Sequence, residues 1–254
     1  MSRVISIHSF RGGTGKSNTT ANLTGLLAQM GYRVGVVDTD IQSPGIHVIF
    51  GLSEDDIGYS LNDYLGGKCS IEDSAYDVTA NLGAEVDGRV FLIPSSLKAG
   101  EIARVIRDGY DVGMLSDGFW ELVDQLNLDA LLIDTHPGLN EETLLSIAIS
   151  DALVILLRPD QQDYQGTSVT VEVARRLDIP QLLLVVNKLP SVYDEDEVRE
   201  KVERAYQAEV AAILPHSDTL MALGSANVFA LHHPDHPITK MLAEVAQRLM
   251  AGNE

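Results

Sequence analysis

The sequence predicts a doubly wound α/β fold, one mostly parallel sheet with helices on both faces. Three observations carry this expectation. A short apolar run, Val4-Ile5-Ser6-Ile7, feeds a glycine-rich turn that opens a helical stretch. Strand-length apolar runs then alternate with segments of helical periodicity to the end of the chain. No Pro/Gly/Ser-rich linker divides the alternation, so residues 1–254 are expected to form a single domain.

In order, residues 4–7 read as the first buried strand. Residues 19–30 read as a helix with Ala21, Leu23, Leu26, Leu27 and Met30 on one face. Gly31 ends that helix and residues 34–37 form the second strand, finishing in Asp38-Thr39-Asp40. Residues 51–89 carry short helical turns around Leu61, Tyr64 and Leu65 and around Ile71, then an excursion over 77–88 with no chemistry of its own. A strand at 90–94 follows, with Ser95-Ser96 as the cap of a helix over 97–106. Residues 115–127 place Leu115, Phe119, Leu122, Val123 and Leu126 at helical spacing, with Trp120 beside that stripe and partly packed. A strand over 128–134 ends in Asp134, and Asn140-Glu141-Glu142-Thr143 opens the next helix with acids in its first turn. Strands at 152–157, 181–186 and 210–214 alternate with helices at 164–177, 195–206 and 238–250. In the first of these helices Val169, Val173 and Leu177 define the expected buried face, and in the last Ile238, Leu242, Val245 and Leu249 do.

The net charge of −19 disfavours general binding to DNA or to an anionic membrane surface, because both would be repelled. Cys69 is the only cysteine, so one chain offers neither an intrachain disulfide nor a cysteine cage for zinc or an iron–sulfur cluster. No apolar run approaches the ~20 residues that span a bilayer, and the chain starts directly in a strand, so a cytoplasmic protein is expected.

The chemistry concentrates in Phe10-Arg11-Gly12-Gly13-Thr14-Gly15-Lys16-Ser17. Between a strand and a helix, such glycines let backbone N–H groups curl around an anion at the positive end of the helix dipole. Gly12, Gly13, Thr14, Gly15, Lys16, Ser17 and Asn18 are therefore expected to hold phosphates. Lys16 reaches the terminal ones and the Ser17 hydroxyl binds magnesium. Asp38 and Asp40, at the carboxyl end of a parallel strand, project into the crevice where such folds bind ligands.

These residues resemble the MinD/ParA family of dimerising ATPases, whose deviant Walker A box reads Lys-Gly-Gly-x-Gly-Lys-Ser/Thr. The resemblance covers nearly the whole chain. It implies ATP and Mg²⁺ as cofactors, an ATP-dependent homodimer, and an adaptor or activating partner. It places Asp38 and Asp134 around the magnesium water shell and gives Asp40 the attacking water. Gly138 falls near the terminal phosphate, Asn187 on the adenine edge and Pro215, with His216, over the base. Two departures stand out. Arg11 replaces the signature lysine that reaches across the dimer, keeping charge and a phosphate-suited fork but changing reach. Asp134-Thr135-His136-Pro137-Gly138 shifts the usual Asp-x-Pro-x-Gly and brings an imidazole, His136, near the phosphates.

The resemblance implies a slow ATPase that switches the positioning or recruitment of a partner or cargo. Alternatives are a nucleotide-gated scaffold with little turnover and a maturation ATPase for a metalloenzyme. A dinucleotide oxidoreductase would leave Lys16, Ser17 and Asp134 without a task. His232, His233, Asp235 and His236 give a weak metal pattern with no second cluster to complete it. MinD proteins carry a C-terminal amphipathic membrane helix. Here Lys240 and Arg248 are the only cations, with Glu244 and Glu254 beside them, so docking of that helix on the protein core is expected instead.

Overall fold

The structure is a computed structural model that describes residues 2–252; Glu254 lies outside the described residues. Its elements run β1 Arg3–His8, α1 Lys16–Gln29, β2 Arg33–Asp38, α2 Ile46–Ile49, α3 Leu61–Leu65, β3 Tyr76–Asp77 and β4 Arg89–Ile93. They continue with α4 Ala99–Asp108, α5 Gly113–Gln125, β5 Ala130–Asp134, α6 Glu141–Ala148, β6 Ala152–Leu157 and α7 Gln161–Arg176. The chain closes with β7 Gln181–Leu189, α8 Glu195–Tyr206, β8 Glu209–Pro215, α9 Asp218–Ala222, α10 Phe229–His232 and α11 Pro237–Ala251.

The strands form one sheet in the order β3-β4-β2-β5-β1-β6-β7-β8. All pairings are parallel except β3 with β4. Alternate residues serve opposite faces, as strand geometry requires. Ile5, Ile7, Val34, Val36 and Leu132 pack with α1, α10 and α11, while Val37, Leu131 and Ile133 pack with α5 on the other side. Further along that second side, Leu153, Ile155 and Leu157 meet α7 and α8. From central β1 the chain turns first to β2 on one side and later to β6 on the other. The carboxyl ends of β1, β2 and β5 consequently meet at the reversal where doubly wound sheets open a crevice.

Most expected elements stand within two residues of their expected bounds. Four local differences have physical causes. Met30 caps α1 and is exposed rather than in the core. Ser95 and Ser96 do not cap α4, which begins later at Ala99. Ser95 Oγ instead donates to the Asp38 carbonyl at 2.7 Å and Ser96 Oγ to Glu101 at 2.6 Å. Tyr76–Asp77, at the edge of the region read as an excursion, adds the antiparallel strand. On α7 the buried side is Gly166, Thr167, Thr170, Val171 and Ala174, whereas Val169 is 48% exposed. The aliphatic spacing marked the wrong stripe because Phe10 fills the space over Gly166. A Cβ there would lie 2.1 Å from the Phe10 ring.

Trp120 is half exposed beside the buried stripe of α5. On α11 the stripe Ile238, Leu242, Val245 and Leu249 is buried in the core cluster shared with α1. The apolar face proposed for comparison with a membrane helix is thus covered by the protein itself. No helix among the described residues is long and apolar enough to cross a membrane. The histidines near the C-terminus take separate structural tasks: His232 bonds the Leu82 carbonyl, His233 stacks on Phe229, and His236 caps α11 through Ile238 N–H.

Candidate functional site

The loop between β1 and α1 turns on Gly13 and Gly15, both at positive φ, and Gly15 at +97° is the residue from which α1 starts. An L side chain is disfavoured there twice over, because a Cβ would also stand 2.5 Å from Asn187 Nδ2. A cavity of about 200 Å³ opens over this loop, lined by residues 12–18 together with Ser9, Asp40 and Pro137. Every loop residue expected to hold phosphates therefore faces one space, with Asp40 at its rim.

Beneath the loop, strand pairing puts Asp38 directly opposite Asp134 and Asp134 opposite Ile7. Both carboxylates are almost completely buried. Lys16 Nζ meets Asp134 Oδ1 at 2.9 Å, and Thr20 Oγ1, one helical turn on, donates to the same oxygen at 3.0 Å. Asp134 Oδ2 is buried with no hydrogen-bond partner. Asp38 accepts from the N–H groups of Asp40 at 3.0 Å and Gly45 at 3.2 Å. Burial and then the Asp134 charge push Asp38 up to about 7, against the pull of Lys16. Asp40 is also raised, chiefly by burial, with Lys16 and His136 opposing. Its carboxylate lies 3.8 Å from His136 Nε2. The orphaned Asp134 oxygen, the Asp38 carboxyl group opposite it and the Ser17 hydroxyl in the cavity lining are hard oxygen donors. The residues present fit a small divalent cation such as Mg²⁺.

The remaining expected residues are distributed more widely. Asn187, at the end of β7, donates Nδ2 to the Thr14 carbonyl at 2.8 Å and accepts from Lys188 N–H at 2.8 Å, so its amide braces the loop. It also lines an adjoining cavity of about 140 Å³, with Pro215, His216 and the two residues it shares with the loop cavity, Gly15 and Asn18. Gly138, at φ +86°, donates its N–H to the Ser9 carbonyl at 3.3 Å, while Pro137 faces the cradle. Arg11 points away into an open recess with Phe10, Gln162 and Val169. Its guanidinium lies 3.4 Å from Asp160, the cap of α7, and 3.3 Å from buried Asp163, which also holds Arg158.

Several contributors escaped the sequence reading. Thr20 could have been found four residues after Lys16 on one helix face, and Lys188, whose Nζ binds the Gly13 carbonyl at 2.9 Å, from its position after Asn187. His8 carried no signal. Thr135 Oγ1 lies 3.0 Å from the Ile7 carbonyl and 2.8 Å from His8 Nδ1, bonding both. His8 Nε2 is buried without a hydrogen-bond partner. Burial, then the Lys16 charge, brings His8 down to about 3.

A family model described as ParA, NUBPL iron-transfer P-loop NTPase, matches residues 1–250. An ATP-binding protein of Methanocaldococcus jannaschii is 27% identical over 98% of this chain and 88% of its own length. An iron–sulfur cluster carrier protein of Pseudomonas fragi is 28% identical over 96% of this chain and 83% of its own. Among solved structures, the septum site-determining protein MinD of Pyrococcus horikoshii, complexed with Mg-ADP, superimposes with a TM-score of 0.81 at 22% identity. That match covers 97% of this chain and 95% of the other, and it shows the shared fold. With the glycine loop, the strand-end acids and the sheet order in place, the chain belongs to the ParA family of P-loop NTPases.

Proposed function

We propose that this protein binds ATP with Mg²⁺, pairs with a second copy around the nucleotide, and hydrolyses it slowly as a switch that recruits or positions a partner. The carrying observation is the single cavity that joins the amide-rich loop, Lys16 and Asp40 above two buried acids. In this reading the loop N–H groups and Lys16 hold the phosphates, and Ser17, Asp38 and Asp134 hold the metal and its waters. The metal would neutralise phosphate charge. Phosphoryl transfer to water then needs mainly placement and charge stabilisation. Asp40, with raised proton affinity at the cradle rim, orients the attacking water. Asn187 and Pro215 shape the base pocket. Arg11, tethered to acids on its own chain, supplies a cation to the partner copy once released.

The deciding experiment measures mass by light scattering with and without ATP and Mg²⁺, on wild type and Arg11→Ala. Dimerisation only with nucleotide, lost in the variant, is expected; a dimer indifferent to both overturns the switch. Single-turnover hydrolysis by wild type and Asp40→Ala separates an ATPase from a nucleotide-gated scaffold, since a scaffold loses nothing on substitution.

A second reading, maturation of a metal centre, draws on the iron-transfer description of the family and on the named relative. Iron–sulfur clusters are commonly held by four cysteines, whereas these 254 residues contain only Cys69. Cys69 packs at the edge of the α5-side core, and burial raises its thiol pKa. In that reading the protein contributes its nucleotide cycle and leaves ligation to a partner. Stoichiometric cluster uptake by this chain alone after anaerobic reconstitution would contradict it.

A further inference from the structure

A separate cavity of about 250 Å³ opens where the loop after β2, the α4–α5 junction and the first turn of α6 converge. Ile41, Val105, Ile106, Tyr110, Glu141 and Glu142 line it. Its walls are chemically divided. Ile106 is 60% exposed and continues the apolar side, while Glu141 and Glu142 form the opposite rim. First-turn acids ordinarily answer only the helix dipole, but here they border an apolar hollow. Among the described residues neither carboxylate has an ion-pair partner, and Arg107 on neighbouring α4 is bound to Asp108 at 2.7 Å. The Tyr110 hydroxyl is cut off from solvent and faces the Glu142 carboxylate as its hydrogen-bonding neighbour. Burial, and then the nearby Glu142 charge, raise its pKa above the usual phenol value.

An apolar wall facing two carboxylates matches an aliphatic stem with a cationic head. A planar guanidinium answers a pair of carboxylates and an aromatic ring better than an ammonium does. We propose that this cavity docks one arginine side chain carried by a partner protein. Its stem rests on Val105 and Ile106, and its guanidinium sits between Glu141, Glu142 and the Tyr110 ring. Ile41 follows Asp40 directly, and Glu141 follows Gly138 by three residues, so both walls continue from loops that border the nucleotide cradle. Docking is therefore coupled to nucleotide; this coupling, unlike docking itself, rests on the ATP reading above.

The test follows methyl resonances of the full chain during titration with an acetylated, amidated Ala-Leu-Arg-Leu-Ala peptide. The same peptide with citrulline in place of arginine, and spermidine, serve as comparators. Saturable shifts at Ile41, Val105, Ile106 and Val112 are expected, with binding about tenfold weaker for the citrulline peptide and for the Glu141→Gln/Glu142→Gln double variant. Equal binding of the citrulline peptide overturns the proposal, and because this arm uses wild type it does not depend on the variant folding. Shifts confined to other methyls, or undiminished binding by the double variant, also overturn it. Spermidine saturating the same methyls as tightly would make this a free polyamine site and overturn the partner assignment. With ATP and Mg²⁺ the peptide affinity is expected to change about fivefold. An unchanged affinity in samples where ATP demonstrably binds overturns the coupling. Absence of ATP binding overturns the function proposed above, and the peptide titration then decides docking by itself.

Discussion

Two cations leave the same loop five residues apart and meet opposite surroundings. Lys16 turns inward, is 7% exposed and lies 2.9 Å from the buried Asp134 carboxylate. Arg11 turns outward, is 39% exposed and rests 3.3–3.4 Å from Asp160 and Asp163. A charge pair deep in the protein is strongly coupled, because neither member can be left alone without a large desolvation penalty. An exposed pair is weak and screened. The inner pair therefore anchors the site, whereas Arg11 can leave the outer one at little cost because buried Asp163 keeps Arg158 at 3.0 Å.

The sharpest way to break this contrast is Lys16→Ala. Leaving Asp134 buried without its cation is expected to cost about 3–5 kcal/mol of stability and to abolish ATP binding, as read by urea unfolding and nucleotide titration. A loss below about 1 kcal/mol would put Lys16 in the class of exposed pairs. Asp40→Ala comes next. It is expected to slow single-turnover hydrolysis by about 100-fold while leaving ATP affinity little changed, because Asp40 stands at the rim and not under the loop.

His8 sharpens the inner side of the comparison through pH. Its folded value is about 3 against an ordinary 6.5, so the unfolded chain binds a proton that the folded chain refuses between those limits. Stability is lost as pH falls through that window, by up to about 1.4 kcal/mol per pH unit. Asp38 acts with the opposite sign. Its folded value of about 7 lies above 3.8, so its contribution declines as pH rises through that range. Urea unfolding of wild type and His8→Asn at pH 5 and 7 separates the two, and the variant is expected to gain relative to wild type at pH 5. The smallest effect is on the outer side. Arg11→Ala should change stability by no more than about 1 kcal/mol, even though the nucleotide-dependent dimer is expected to disappear.

Much of the candidate site was legible because its residues are close in sequence. A strand, a glycine turn and a helix start are contiguous in sequence, and Gly12 to Asn18 line one cavity as that order requires. Asp38 and Asp134 were legible as strand-end acids, although their pairing across the sheet is a matter of register. The α7 face was not legible. Its buried stripe holds a glycine and threonines, and its fit to Phe10 depends on a loop about 150 residues earlier in the chain. Asn187 was singled out in the sequence, but its grip on the Thr14 carbonyl was not legible, since no local pattern encodes a contact across 173 positions.

By itself, the sequence determined the alternation of strands and helices, the glycine-rich turn between the first strand and helix, and the acids that end the second and fifth strands. Each follows from periodicity or spacing within a few residues. Only the tertiary structure decided that Asp134 keeps one oxygen without a partner, that His8 is buried with its Nε2 unpartnered, and that Arg11 is tethered outside the loop cavity. Those properties arise from burial and from neighbours brought together by strand order. Desolvation and charge act through space, whatever the separation along the chain.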